Sequence, residues 1–214
     1  MYAPGEDSVV DIYAPEAVYI NGEILAGAEW VGGVKRKVAA GADVMINTPH
    51  ELRIFGAITS TDVMDLNGEY DQNYNDRDEV SASIQLTGQL TSMADDSLLR
   101  LEGPQDILIE GSIFVRGQNS GLYVESYDQR VKFKNSFVEV EDGIDIIAGG
   151  EYIDDELDDF EGNDLRSSVL VTATAVITSF QNGSDINITG AYDVDIFGSI
   201  VAGGAIGPTG LIWS

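Results

Sequence analysis

The chain has 214 residues, of which 37 are acidic and 11 are Lys or Arg, so its formal net charge is −26. This charge excludes nucleic acid as a partner, because phosphate binding needs basic patches, and it opposes insertion into an anionic membrane. The chain has no cysteine, which excludes disulfides and thiolate metal sites. Its length suits one elongated β domain spanning residues 1–214.

A repeated strand–glycine unit is the main pattern of the sequence. The six copies are AVYINGEI (17–24), ELRIFGAI (51–58), SIQLTGQL (83–90), DILIEGSI (106–113), DINITGAY (185–192) and DVDIFGSI (193–200). Alternation of apolar and polar residues is the period of a β-strand, and glycine inside it either permits close backbone approach or marks a bend. The repeats predict an all-β fold, a parallel β-helix (β-solenoid) with irregular coils and long acidic loops. A β-sandwich is the alternative, because its many short strands give a similar pattern.

Further strands are predicted between the copies of this unit. They cover residues 44–46, 122–124, 131–133, 137–140, 144–147 and 169–177. The long interval between Gly111 and Gly190 is expected to hold coils whose sequence is less recognisable. Gly190 and Gly198 are so close together that they predict two strands joined at one corner of a coil.

A polar insertion, NGEYDQNYNDRDE, interrupts the strands at residues 67–79. Its candidate cation ligands are Asp71, Asn73, Asn75, Asp76 and Asp78. Calcium takes about six to eight oxygen ligands, and alternate spacing can direct several of them to one centre. The pattern is not that of an EF-hand loop, so a calcium site and a solvated polar loop both remain open.

A second insertion, EYIDDELDDFEGND at residues 151–164, is strongly acidic. Its candidate cation ligands are Asp154, Asp155, Asp158 and Asp159. These carboxylates repel one another and a divalent cation would relieve the repulsion, although such runs also occur as solvated surfaces. Ile153, Leu157 and Phe160 have the spacing of one apolar face of a short helix.

No motif in the chain predicts an enzyme. His50 is the only histidine, and no G-x-S-x-G turn supplies a serine for a catalytic triad. Carboxylates are so frequent that pairs of them carry no information about catalysis. The chain is therefore expected not to be an enzyme.

Three basic residues concentrate in one predicted strand. Arg130, Lys132 and Lys134 alternate there, so they share the face opposite Val131 and Phe133. A polysaccharide-binding or polysaccharide-cleaving β-helix would use such cations on an acidic polymer. The simpler interpretation is that an acidic protein places its few cations beside its own carboxylates.

Residues 196–214 carry no charge. Their glycines and Pro208 make this stretch a poor membrane-spanning helix. A buried coil or a contact with another subunit is predicted instead.

Two stretches, VYINGEILAGA (18–28) and VDIFGSIVAGGAI (194–206), resemble the coils of large exported bacterial β-helix proteins. These are the filamentous-haemagglutinin-like adhesins and the giant surface-fibre repeat proteins. The resemblance implies a right-handed parallel β-helix that builds adhesive fibres outside the cell or at its surface. DILIEGSIFVRG (106–117) also resembles a coil of the bactofilins, which are cytoskeletal β-helices that polymerise end to end. Both resemblances imply that copies of the chain associate head to tail, with surface polysaccharide as a further partner.

Overall fold

The computed structural model describes residues 1–48, 51–68, 83–103, 106–126, 130–148, 168–181, 184–191 and 193–203. Within these ranges the chain forms strands and turns and contains no helix. Successive strands wind into coils, and each coil stacks on the one before it. The protein is therefore a parallel β-helix, as the repeats predict, and not a β-sandwich.

Each complete coil contributes three strands to the stack. The first coil holds β1 (Tyr2–Ala3), β2 (Val9–Tyr13) and β3 (Ala17–Ile20); the second holds β4 (Glu23–Ala26), a hairpin of β5 (Ala28–Val31) and β6 (Val34–Lys37), then β7 (Asp43–Thr48) and β8 (Glu51–Ile54). The third holds β9 (Ala57–Ser60), β10 (Met64–Gly68) and β11 (Ser83–Leu86), and the fourth β12 (Gln89–Ser92), β13 (Leu98–Gly103) and β14 (Ile107–Ile109). The fifth holds β15 (Ser112–Val115), β16 (Gly121–Ser126) and β17 (Val131–Phe133), and the sixth β18 (Phe137–Val140), β19 (Ile144–Ala148) and β20 (Ser168–Val171). The seventh holds β21 (Val176–Ser179), β22 (Ile186–Gly190) and β23 (Asp193–Ile196), and an eighth begins with β24 (Ser199–Val201).

The strands form three parallel sheets that are the three sides of the stack. Sheet 1 has the order β1-β4-β9-β12-β15-β18-β21-β24, sheet 2 the order β2-β7-β10-β13-β16-β19-β22, and sheet 3 the order β3-β8-β11-β14-β17-β20-β23. Parallel neighbours lie about 4.8 Å apart, so the eight strands of sheet 1 span about 34 Å along the stack. Among the described strands, only the hairpin pair β5–β6 is antiparallel.

The core fills the inside of the stack with columns of apolar side chains, one residue from each coil. One such column of sheet 3 runs through Val18, Leu52, Ile84, Ile107 and Val131, which pair in register and are all buried. Residues between these inward positions point outward and are mostly polar, which is why the strands alternate in sequence. The predicted strand period is therefore confirmed.

Glycine turns the chain from sheet 3 into sheet 1. Gly56, Gly88 and Gly111 stack directly on one another at this corner. A β-carbon on Gly88 would lie 2.8 Å from the carbonyl carbon of Gly56 and closer still to its oxygen. Both predicted roles of the glycine, close approach and a bend, are thus correct.

Two coils make this corner without glycine, and their turns are longer. Ser136 and Ala175 stand at the positions equivalent to Gly111. Phe137, after Ser136, pairs in register with Ser112, and Val176, after Ala175, pairs with Phe137. Residues 134–136 and 172–175 form these corners, whereas 110–111 suffice where glycine is present. Asn135 enters the left-handed region with φ 52°, which asparagine tolerates. The coils expected between Gly111 and Gly190 lack a recognisable repeat for this reason.

One predicted copy of the repeat is not equivalent to the others. DINITGAY (185–192) supplies β22 in sheet 2, and Gly190 pairs with Ala148 rather than joining the corner glycines. The prediction of two strands joined at one corner is confirmed, because β22 is followed directly by β23 of sheet 3. The predicted strand at 169–177 is two strands, β20 and β21, separated by a corner.

The hairpin β5–β6 is an element that the strand–glycine repeat does not predict. Gly32 and Gly33 have φ of 59° and 82°, the two positive values that a type I′ turn requires. The hairpin lies against the outer face of sheet 1, where the Lys35 Nζ donates a hydrogen bond to Thr59 Oγ1 at 3.2 Å.

Candidate functional site

The predicted cation ligands lie outside the described residues. This holds for Asp71, Asn73, Asn75, Asp76, Asp78, Asp154, Asp155, Asp158 and Asp159, and also for His50 and the helix predicted through Ile153. Within the ranges that the structure describes, no group of three or more His, Cys, Asp or Glu side chains could hold a metal ion. Calcium binding stays a prediction.

The last described coil of the stack, towards the C-terminus, exposes residues of the inward columns. Val194 and Ile196 of β23 continue two inward columns, yet they are 37% and 47% exposed. One coil earlier, Val169 and Val171 occupy the same columns and are fully buried. Exposed β-branched side chains at the open edge of a sheet mark a surface suited to pairing with another chain.

The N-terminal end differs, because its first coil is better covered. Val10 and Val18 are buried there, and Ile12 and Ile20 are half-buried. The strand β1 belongs to this coil and contributes only two residues to sheet 1. The two ends therefore present the same kind of inward residue with different exposure.

A shallow depression on the outer face of sheet 3 gathers the predicted basic trio. Arg130, Lys132 and Lys134 line it together with Asp106 and Leu108, around a volume of about 240 Å³. Val131 and Phe133 between them are buried, so the predicted sharing of one face by the three cations is confirmed.

Two of these cations are already paired with carboxylates. Arg130 forms a bidentate ion pair with Asp106, in which Nε donates to Oδ1 at 3.2 Å and Nη2 donates to Oδ2 at 2.9 Å. These hydrogen bonds raise the pKa of Arg130. Lys134 Nζ lies 2.9 Å from Glu110 Oε1, and its hydrogen bond holds the pKa of Glu110 below the ordinary value. The interpretation that cations sit beside the protein's own acids therefore applies to both.

Lys132 is the exception in this depression. Its register neighbours on the two adjacent strands are Leu108 and Leu170, and it forms no ion pair with any described residue. Lys132 is therefore the cation of this depression without an ion pair among the described residues, although its charge contributes to lowering the pKa of Glu110.

Two buried glutamates stand side by side on sheet 2. Glu102 and Glu125 pair in register and are each 9% exposed. Arg100 Nε lies 3.2 Å from Glu102, and the Tyr123 hydroxyl donates to Glu125 at 2.5 Å. Burial, and then the Glu125 carboxylate, raise the pKa of Tyr123 well above its ordinary value. Each of the two carboxylates therefore has its own partner, Arg100 for Glu102 and Tyr123 for Glu125, and the cluster has a structural role.

An aromatic–cation–carboxylate cluster fixes the hairpin to sheet 1. Lys35 Nζ lies 3.0 Å from Glu23 Oε1 and 5.4 Å from the centre of the Trp30 ring, and the Trp30 indole donates to Glu23 Oε2 at 2.8 Å. The cluster is missed by reasoning from sequence, although Gly32 and Gly33 between two Val residues are a hairpin signal.

No protein-family model, curated protein or solved structure matches this chain. The described residues include no helix of the length and apolarity needed to span a membrane.

Proposed function

We propose that the protein is a structural β-solenoid whose copies associate end to end to build a fibre or surface layer outside the cell. The observation that carries the proposal is the exposure of core residues at the C-terminal coil, above all Val194 and Ile196. Burying the exposed part of each side chain, 37% of Val194 and 47% of Ile196, against another apolar surface is favourable by roughly 0.5–1.5 kcal/mol for each residue.

The first coil of a second copy continues the same inward columns, and its Ile12 and Ile20 are half-buried whereas its Val10 and Val18 are already buried. Val18 and Ile20 lie in the same two columns of sheet 3 as Val194 and Ile196. Within the described chain, no strand pairs with the outer edges of β22, β23 and β24. Added strands would supply both hydrogen bonds for these edges and apolar cover for the columns.

Sedimentation velocity over a wide concentration range tests the association. The wild type is expected to form larger species as its concentration rises. Val194→Lys should suppress them at least tenfold, because it places a charge in an apolar contact. Val63→Lys is the matched control, since Val63 is also a valine that is 37% exposed but lies in the middle of the stack. A wild type that remains monomeric throughout, or two variants that behave alike, would contradict the proposal.

The depression around Lys132 favours a second function, binding of an anionic polysaccharide. Its support is the cation without an ion pair among the described residues, beside the fixed cations Arg130 and Lys134. Binding of alginate, measured by calorimetry at low salt, should weaken several-fold in Lys132→Ala and fall with added salt. Lys37→Ala removes the same charge from the exposed hairpin and serves as control. Equal binding by both variants would exclude the depression as the site.

A further inference from the structure

Within the described residues, the first strand of the stack, β1, and its last strand, β24, belong to the same sheet. In the part of the chain that the structure describes, sheet 1 has eight strands and sheets 2 and 3 have seven each, because both β1 and β24 belong to sheet 1. Consider two copies stacked end to end, with the C-terminal coil of one against the first coil of the next. If both strands are kept, β24 of the first copy and β1 of the second are two successive strands of sheet 1. Sheets 2 and 3 would then each lack one strand at the junction, leaving gaps of about 4.8 Å on two of the three sides.

We infer that β24 of one copy replaces β1 of the next copy. The inference rests on the proposed end-to-end association and specifies the surfaces that meet. β24 then pairs with β4 of the next copy, β22 with its β2, and β23 with its β3. Every sheet continues across the junction, because β24 is followed in the stack by the same sequence of sheets that follows β1.

Among the described strands of sheet 1, β1 is the shortest, and its Ala3 carbonyl accepts a hydrogen bond from Gly27 N–H at 2.8 Å. It pairs with β4 through only Tyr2 and Ala3, and Met1 and Tyr2 are 70% and 53% exposed. Its backbone hydrogen bonds to β4 include Leu25 N–H to Met1 O at 3.1 Å and the Met1 ammonium to Glu23 O at 2.6 Å. Removing β1 would uncover the edge of β4, whose Leu25 and Ala26 are buried, so β24 of the preceding copy must cover that edge in its place.

The replacing strand fits the vacated position better. Tyr2 pairs with Leu25, so the β1 residue in the column of Ile24 is the exposed Met1. In β24 that column is occupied by Ile200, which pairs with the buried Ile177. Exchange of Met1 for Ile200 would thus continue a core column with a β-branched residue, which suits a strand.

The other inward columns also match across the junction. The pairs are Ile186 with Val10, Ile188 with Ile12, Val194 with Val18, and Ile196 with Ile20. On the outer face, Asp193 and Asp195 would lie beside Ala17 and Tyr19, so no like charges oppose each other on sheet 3. Like residues stacked in register are what the inside of the described stack already shows.

A reversible cross-link tests the exchange. Tyr2→Cys with Leu25→Cys joins a registered pair on neighbouring strands, a spacing that a disulfide accepts, in a chain with no other cysteine. Oxidised protein should fail to assemble, and the same sample should assemble after reduction. Assembly of the oxidised form as readily as the reduced form would overturn the inference and leave the proposed function intact. A wild type that does not assemble would contradict both.

A deletion and a length measurement make the test independent of how the cysteine variant folds. A variant lacking residues 2–5 has no β1 and should assemble at a several-fold lower concentration than the wild type. A higher concentration needed for assembly would overturn the inference.

In filaments, replacement of β1 predicts an axial rise of about 34 Å for each copy, that is seven coils, whereas retention of β1 predicts about 38 Å. A wild-type rise near 38 Å from cryo-electron microscopy would refute the exchange.

Discussion

Replacement of Gly88 by alanine tests the packing of the corner. The new methyl group would lie 2.8 Å from the carbonyl carbon of Gly56 and nearer to its oxygen, so the two coils must move apart. That movement strains two hydrogen bonds of the corner, Gly88 N–H to Ile54 O and Gln89 N–H to Gly56 O, both 3.0 Å. Loss of two buried backbone hydrogen bonds corresponds to about 2–5 kcal/mol.

Urea denaturation followed by circular dichroism measures this loss, with Gly22→Ala as the matched control. Gly22 occupies the same corner in the first coil, but no atom lies within 4 Å of the position that its new methyl group would take. The control should change the free energy of unfolding by less than about 0.5 kcal/mol. Equal stability of the two variants would refute the reasoning that close backbone approach requires glycine here.

Two further variants test the electrostatics of the outer surface. Lys35→Ala removes the ion pair with Glu23 and should lower the free energy of unfolding by about 1 kcal/mol. It should also speed hydrogen exchange in residues 28–37. Lys37→Ala, on the same strand, is the control and should have neither effect. Burial raises the pKa of Asp65, so the folded state binds its proton more tightly than the unfolded chain and ionisation destabilises the fold. Asp65→Asn should therefore raise the Tm at pH 7. This gain in Tm should vanish as the pH falls through the raised pKa of Asp65 towards the ordinary aspartate value of 3.8. A gain in Tm that is independent of pH would contradict this cause.

The coil architecture could be predicted from sequence because the corner constrains it locally. Gly56, Gly88 and Gly111 must be glycine for backbone reasons, and the alternating strands beside them must cover a core on one side. Both signals depend on neighbouring residues, so they are visible in the sequence. Where a longer turn relieves the crowding, as at Ser136 and Ala175, the signal disappears although the coil is present.

The candidate sites depend on contacts between coils, which sequence does not give. Alternation places Arg130, Lys132 and Lys134 on one face, but only the register shows that Asp106 neutralises Arg130 while Lys132 lies between leucines. The unequal number of described strands in the three sheets also follows from how successive coils are stacked, which no short stretch of sequence shows. Calcium binding by the acidic insertions remains a prediction.

Electron microscopy of purified protein tests the central claim most directly. We expect wild-type protein in negative stain to form unbranched filaments one β-helix wide, whose length increases with concentration. Val194→Lys at the same concentration should give separate particles, because its charge lies in the end surface that must be buried. Separate wild-type particles at every concentration, with no filaments, would contradict end-to-end association.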